Sequence, residues 1–283
     1  MSFSVTSWNV EHFGSARNGE SSARVQTRID DVFDLLDTAG VRSDVFAIYE
    51  VEGALVFDQV KQRFPDYTWT ITEGAATQEI LVGTKAQAFV THRPEFSRGF
   101  TGTLRPGLLV TVTDGGKDYP ILFLHLKAAD EPIDFGVRVY QHEKARNLRK
   151  ALDKSTANNQ PANFIVAGDL NNVGMYLTFS NEGISLDEEG SRIKGMYESR
   201  YDLMRLLPKS ADATFWNGPG SSDPPSDLDH VLAASQISFQ KDRNDAEVKV
   251  IGWPDEPTDA AKQAWITKYS DHALIRFTVT GVN

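Results

Sequence analysis

Phe164-Ile165-Val166-Ala167-Gly168-Asp169-Leu170-Asn171-Asn172 is an apolar run that stops abruptly at two polar side chains. It reads as a buried strand whose end presents Asp169 and Asn171, which lie two apart and so point to one side while strand geometry lasts. Strand ends are where α/β proteins place chemistry, because a rigid sheet holds the reacting groups while loops leave room for substrate. The ordinary alternative is a β-turn, which favours Gly, Asp and Asn for their backbone preferences alone. Other apolar runs in this chain finish in the same way, and they decide between the two.

Working outward, residues 3–10 alternate and end in Asn9-Val10-Glu11-His12. A second run, Asp44-Val45-Phe46-Ala47-Ile48-Tyr49-Glu50, terminates in an acid that needs a partner, a metal or water. Ile121-Leu122-Phe123-Leu124-His125-Leu126 carries a histidine near its end. Asp229-His230 and Asp271-His272 each lie beside an apolar strand. Helical spacing marks 24–36, 53–64 and 134–152. In the last helix Val137, Tyr140 or Gln141, Leu148, Ala151 and Leu152 are expected inside, with Arg138, Lys144, Arg146, Arg149 and Lys150 on a solvated face. Short strands are expected at 67–72, 79–83, 86–90 and 213–216, and a hairpin joins 108–113 to 119–126 around Asp114-Gly115-Gly116-Lys117. Residues 181–190 and 218–226 read as loops, and 253–268 as a loop with a short helix. The alternation of strands and helices, without repeat or linker, gives one α/β domain over 1–283.

Of the 283 residues, 40% are hydrophobic and 24% charged, which suits a globular chain. No apolar run approaches the roughly 18 residues of a membrane span. The expected location is cytoplasmic, or secreted if a signal peptide preceded this segment. The absence of cysteine excludes disulfides, thiol catalysis and cysteine-based zinc sites. A formal net charge of -10 argues against coating nucleic acid through bulk positive charge. It leaves room for an enzyme that cuts phosphodiesters, because clustered metal-binding carboxylates lower the net charge themselves.

The polar strand ends are Asn9, Glu50, Glu79, His125, Asp169, Asn171, Asp229, Asp271 and His272. Carboxylate and amide oxygens suit Mg²⁺, Mn²⁺ or Ca²⁺, and histidines beside acids suit acid–base work or stabilisation of developing charge. In chain order, Ser7-Trp8-Asn9-Val10, Tyr49-Glu50, His125-Leu126, Gly168-Asp169-Leu170-Asn171, Asp229-His230-Val231-Leu232 and Ser270-Asp271-His272 resemble the motifs of the endonuclease/exonuclease/phosphatase superfamily, with its deoxyribonuclease I-like fold. Tyr49 stands where that family has glutamine. The resemblance implies a four-layer α-β-β-α sandwich of two mixed sheets and metal-dependent hydrolysis of a phosphoester. It implies that Glu50 holds the metal with Asn9 and Asp271 nearby, that Asp169 activates water, and that Asn171 holds phosphate or water. His272, oriented by Asp229, would stabilise the transition state. Gln78-Glu79-Ile80-Leu81 resembles the stretch whose glutamate pairs with the His-Leu histidine, so Glu79–His125 is expected as a second acid–base pair. Arg105 resembles a phosphate-contacting arginine.

Several departures narrow the subfamily. No lysine follows Glu50 as in abasic-site endonucleases, no cysteine motif of inositol polyphosphate 5-phosphatases is present, and no apolar hairpin of the bacterial sphingomyelinase type is evident. The expectation is a monomeric deoxyribonuclease I-like endonuclease acting on DNA. The alternatives are a phosphatase or phosphodiesterase for a small or lipid phosphoester, favoured by the scarcity of basic residues in 180–195 and 218–226, and a non-catalytic binding protein on the same fold. Retention of every motif acid and histidine places the last behind the others.

Overall fold

The computed structural model describes residues 2–17, 19–72, 78–96, 106–157, 160–180, 182–199 and 203–283. Arg105 lies outside them. In chain order the elements are β1 (Phe3–Phe13), α1 (Ser22–Leu36), β2 (Val45–Val51), α2 (Ala54–Arg63), β3 (Thr68–Ile71), β4 (Glu79–Thr84), β5 (Ala88–Arg93), β6 (Gly107–Asp114), β7 (Lys117–His125) and α3 (Pro132–Ser155). Then follow β8 (Ile165–Asp169), β9 (Met175–Tyr176), β10 (Gly183–Ile184), α4 (Leu186–Tyr197), β11 (Met204–Leu206), β12 (Asp229–Ala234), β13 (Ile237–Phe239), β14 (Val248–Ile251), α5 (Asp259–Lys268) and β15 (Leu274–Val282).

Two mixed sheets form the centre. One is ordered β13-β15-β1-β2-β4-β3, with β14 also on β15; the other is ordered β11-β12-β8-β7-β6-β5. Alternation along the strands sorts their side chains into three cores. Val5, Ala47, Tyr49, Val82, Val110, Phe123, Ala167, Val231 and Ile275 fill the gap between the sheets. Trp8, Phe46, Ile48 and Leu81 turn outward against Ile29 and Val32 of α1 and Val56 and Val60 of α2. On the far side Leu122, Leu124 and Val166 pack against Ala145 and Leu148 of α3 and Ile193 and Tyr197 of α4. The result is the expected α-β-β-α sandwich.

Pairing explains why residues from strand ends and strand starts gather at one edge. β1 runs parallel to β2, and β7 parallel to β8, so Asn9, Glu50, His125 and Asp169 leave their sheets in one direction. β12 is antiparallel to β8 with Asp229 opposite Asp169, and β15 is antiparallel to β1. Asp229 and His272 therefore reach that edge from strand starts.

Three expectations require correction. Residues 181–190 are not loop throughout: β10 and the start of α4 occupy them. The signal is a capping box, in which Ser185 accepts from the Glu188 N–H and Glu188 accepts from that of Ser185. Apolar periodicity hid α4 because its buried face carries Glu189 with Ile193 and Tyr197. In α3, Arg138 and Arg149 are buried rather than solvated and Ala151 faces out, while of Tyr140 and Gln141 it is Gln141 that faces in. Arg138 finds its charge partner in that same Glu189, a pairing that hydrophobic spacing cannot reveal. Residues 213–216 form no strand; Phe215 makes single bridges to Ser226 and His272.

Candidate active site

Asn9, His125, Asp169 and Asp229 share the parity of the inter-sheet core and project into the gap at its edge, where each is almost fully buried. Asp169 is the hub. Its Oδ2 accepts from Asn9 Nδ2 at 2.9 Å and faces Nε2 of His125 at 3.4 Å and of His272 at 3.8 Å. Its Oδ1 accepts from the Asn171 N–H at 3.0 Å, and Asn171 Nδ2 donates to the Leu126 carbonyl at 3.2 Å. The left-handed backbone at Asn171 (φ 48°) makes that turn possible, a conformation asparagine tolerates better than most residues.

Glu50 reaches the site by breaking the strand pattern. Phe46 and Ile48 point to the helix side, so simple alternation would send Glu50 there as well. A left-handed backbone at Glu50 (φ 59°) and a register break between Ile48 and Val51 turn it inward. Asn9 Nδ2 then donates to its Oε1 at 3.2 Å, and the His12 N–H and Gln78 Nε2 donate to its Oε2 at 3.2 and 2.8 Å. His125 Nε2 lies 3.6 Å from Oε1.

The expected Glu79–His125 pair would join side chains that the strand pattern sends to opposite faces. Ile80 and Val82 face the inter-sheet core and Leu81 the helices, so Glu79 lies on the helix side while His125 points between the sheets. Glu79 accepts from the Thr72 hydroxyl. The preceding residue, Gln78, has the inward parity and meets Glu50. The strand pattern of 79–83 contained that signal once its face was known.

His272 sits in a carboxylate clamp. Its Nδ1 bonds Asp229 Oδ2 at 2.8 Å. Burial works against its charge, but Asp229 and Asp169 together overcome that penalty and hold its pKa well above the usual range. Ser270 Oγ donates to the Asn9 carbonyl and accepts from the His272 N–H, while Trp8 Nε1 donates to the His272 carbonyl. The Phe215 ring lies 4.9 Å from the His272 ring.

Tyr49 is buried between the sheets beneath this cluster. It shares a hydrogen bond with Ser7 Oγ at 3.0 Å and donates to the Ala167 carbonyl at 3.3 Å. Burial above all, with Asp229 and Asp169 adding to it, keeps its hydroxyl protonated. At this position a tyrosine ties β1, β2 and β8 together and edges against His125.

Glu11, which the sequence reading did not select, joins Asp271 in a pocket also lined by Arg17 and Asn217. Burial raises both acids, Asp271 adds to the effect on Glu11, and Glu50 adds to both. Such crowded carboxylate charge fits a divalent cation. Among the described residues, no three His, Asp or Glu side chains close into a metal cage. The donors Glu50 and Asp271 instead suit an open site of the Mg²⁺ kind, which keeps several waters and takes substrate oxygens. Asn9 is less suited to direct ligation, since its Oδ1 accepts from the Glu11 N–H and its amide nitrogen bridges Glu50 and Asp169.

The two histidines and several acids gathered at this edge of the sandwich are the residues through which the sequence resembles the endonuclease/exonuclease/phosphatase superfamily. The chain belongs to the Endonuclease/Exonuclease/phosphatase family, whose model matches residues 6–272. Among solved structures it is similar to a humanized D. rerio TDP2 bearing 14 mutations (17% identity, TM-score 0.65, 99% of each chain). It is also similar to D. rerio TDP2 complexed with a single-strand DNA product (16%, 0.64, 99% of each chain). A family protein from Bacteroides vulgatus matches over 99% of each chain at 11% identity and TM-score 0.65. No curated protein matches the chain by sequence. Among the described residues no helix is long and apolar enough to cross a membrane.

Proposed function

We propose that this chain is a divalent-metal-dependent phosphodiesterase that hydrolyses DNA. The observation that carries the reading is Asp169, buried and facing Nε2 of both His125 and His272, and linked through Asn9 to the Glu50 carboxylate. Asp169 would take a proton from an attacking water, with its other oxygen held by the Asn171 N–H. His272, charged and locked through Nδ1 by Asp229, offers Nε2–H to a phosphate oxygen as negative charge builds there. Asn9 keeps Glu50 and Asp169 apart and oriented. Mg²⁺ or Mn²⁺, with Glu50 and Asp271 as the residues that would hold it, would supply charge neutralisation at the phosphate. The relative crystallised with a single-strand DNA product supports a nucleic-acid substrate.

One observation favours a small or lipid phosphoester instead. Among the described residues, Arg17 and Lys127 beside the site are engaged by Glu11 and Asp134 at 3.1 and 3.0 Å, which leaves less of their charge for a long polyanion. Supercoiled-plasmid nicking in Mg²⁺, Mn²⁺ or EDTA, run beside a panel of phosphomonoesters and phospholipids, separates the two. Metal-dependent nicking is the expected result. Turnover confined to the panel would replace DNA with the smaller substrate.

A further inference from the structure

Behind the site, two buried side chains brace the segments that carry Asn171 and His125. Arg138 of α3 and Glu189 of α4 are both sealed from solvent and form a two-point ion pair, Nε to Oε1 at 2.7 Å and Nη2 to Oε2 at 2.9 Å. The same guanidinium donates to the carbonyls of Lys127 and Ala129, just beyond His125, and to that of Gly174, which closes the Asn171 loop. Glu189 Oε2 also accepts from the Gly174 N–H at 2.6 Å. The loop is seated closely there: at Gly174 (φ 84°) a side-chain carbon would come within 2.3 Å of the Ile184 carbonyl oxygen. Asn171 Nδ2, bonded to the Leu126 carbonyl, joins the two braced segments directly at the site.

We infer that Arg138 and Glu189 are a positioning pair that sets Asn171, and through it Asp169, for the reaction; this rests on the hydrolase reading above. A pair serving only to neutralise buried charge would not need these backbone partners. Here they all lie on the two segments that leave β7 and β8 at the site. Arg138 suits the task because its planar fork can engage a carboxylate and several carbonyls at once, which lysine cannot. Neither residue touches reacting atoms, so their effect is on geometry, where a displacement of about 1 Å costs about 100-fold in rate.

The test uses the full chain with Glu189→Ala, Glu189→Gln and Arg138→Lys. Bis(p-nitrophenyl) phosphate turnover in saturating Mg²⁺ is measured well below each melting temperature, with hydrogen exchange followed at 171–174. For folded Glu189→Ala the expected result is a loss of about 100-fold in kcat with KM little changed, and faster exchange confined to 171–174 and 127–129. Glu189→Gln, which keeps the shape and one acceptor, should recover part of kcat. If Glu189→Ala does not fold, Arg138→Lys is read in the same way. Wild-type kcat in a folded variant, or unchanged exchange at 171–174, overturns the inference. Absence of turnover in the wild-type chain instead contradicts the hydrolase reading, and the exchange measurement still judges the pair.

Discussion

Substituting Gly168 by alanine would place a methyl group where the two sheets meet directly beneath Asp169. The backbone there has φ 138°, a region that side chains other than hydrogen rarely occupy. The new carbon would stand 2.0 Å from the Leu124 carbonyl oxygen and 2.7 Å from the Tyr49 hydroxyl. Backbone strain costs about 1–3 kcal/mol and overpacking about 1–3 kcal/mol, which together centre near 4 kcal/mol. At about 2–4 °C per kcal/mol for a chain approaching this size, the melting temperature should fall by roughly 8–16 °C. Calorimetry or thermal circular dichroism reads this directly. The double variant Gly168→Ala/Tyr49→Phe removes the movable hydroxyl but leaves the Leu124 carbonyl in place, so it should recover only part of the loss. A single variant that melts within about 2 °C of wild type, or a double variant fully restored, would refute the packing account of this junction.

Gln78→Ala should weaken apparent Mg²⁺ affinity by about 10–100-fold, seen as a rightward shift of activity against free metal, because Glu50 Oε2 loses the shorter of its two donors and keeps only the His12 N–H. Asp229→Asn should lower kcat by at least about 100-fold with little change in KM, since His272 loses the carboxylate that orients and charges it. His142 predicts a pH effect on stability away from the site. Burial, followed by the nearby His230 and Arg138, lowers its pKa to about 3 against a modest opposing effect of the neighbouring Asn172 amide. Its native pKa lies below the unfolded value of about 6.5, so the unfolded chain binds the extra proton. Stability from this group is therefore full above pH 6.5 and lost as pH falls toward 3, by up to roughly 4–5 kcal/mol. Urea unfolding from pH 7 to 4 should be flatter for His142→Gln than for wild type by up to one proton.

Much of the site could be read from residue order because its acids and histidines terminate apolar runs, and a sheet must deliver such residues to an edge. Asn9, Asp169 and Asp229 follow plain alternation, and the structure places them together. Glu50 arrives by a different route, a left-handed residue at a register break, which no periodicity encodes. The family resemblance points to Glu79, whereas the facing of the strand turns the neighbouring Gln78 toward Glu50; one position of parity separates the two. The buried face of the helix at Leu186–Tyr197 and the burial of Arg138 are masked for one shared reason. Each polar group is hidden by the other, and a pair 51 residues apart has no local signature.

If Asp169 and His272 perform phosphodiester hydrolysis, nicking of supercoiled plasmid by Asp169→Asn and His272→Ala in Mg²⁺ will reveal it. The wild-type rate should depend on metal, and each variant should lose at least about 100-fold with a melting temperature that still reports a folded chain. Folded variants that nick at the wild-type rate would contradict it.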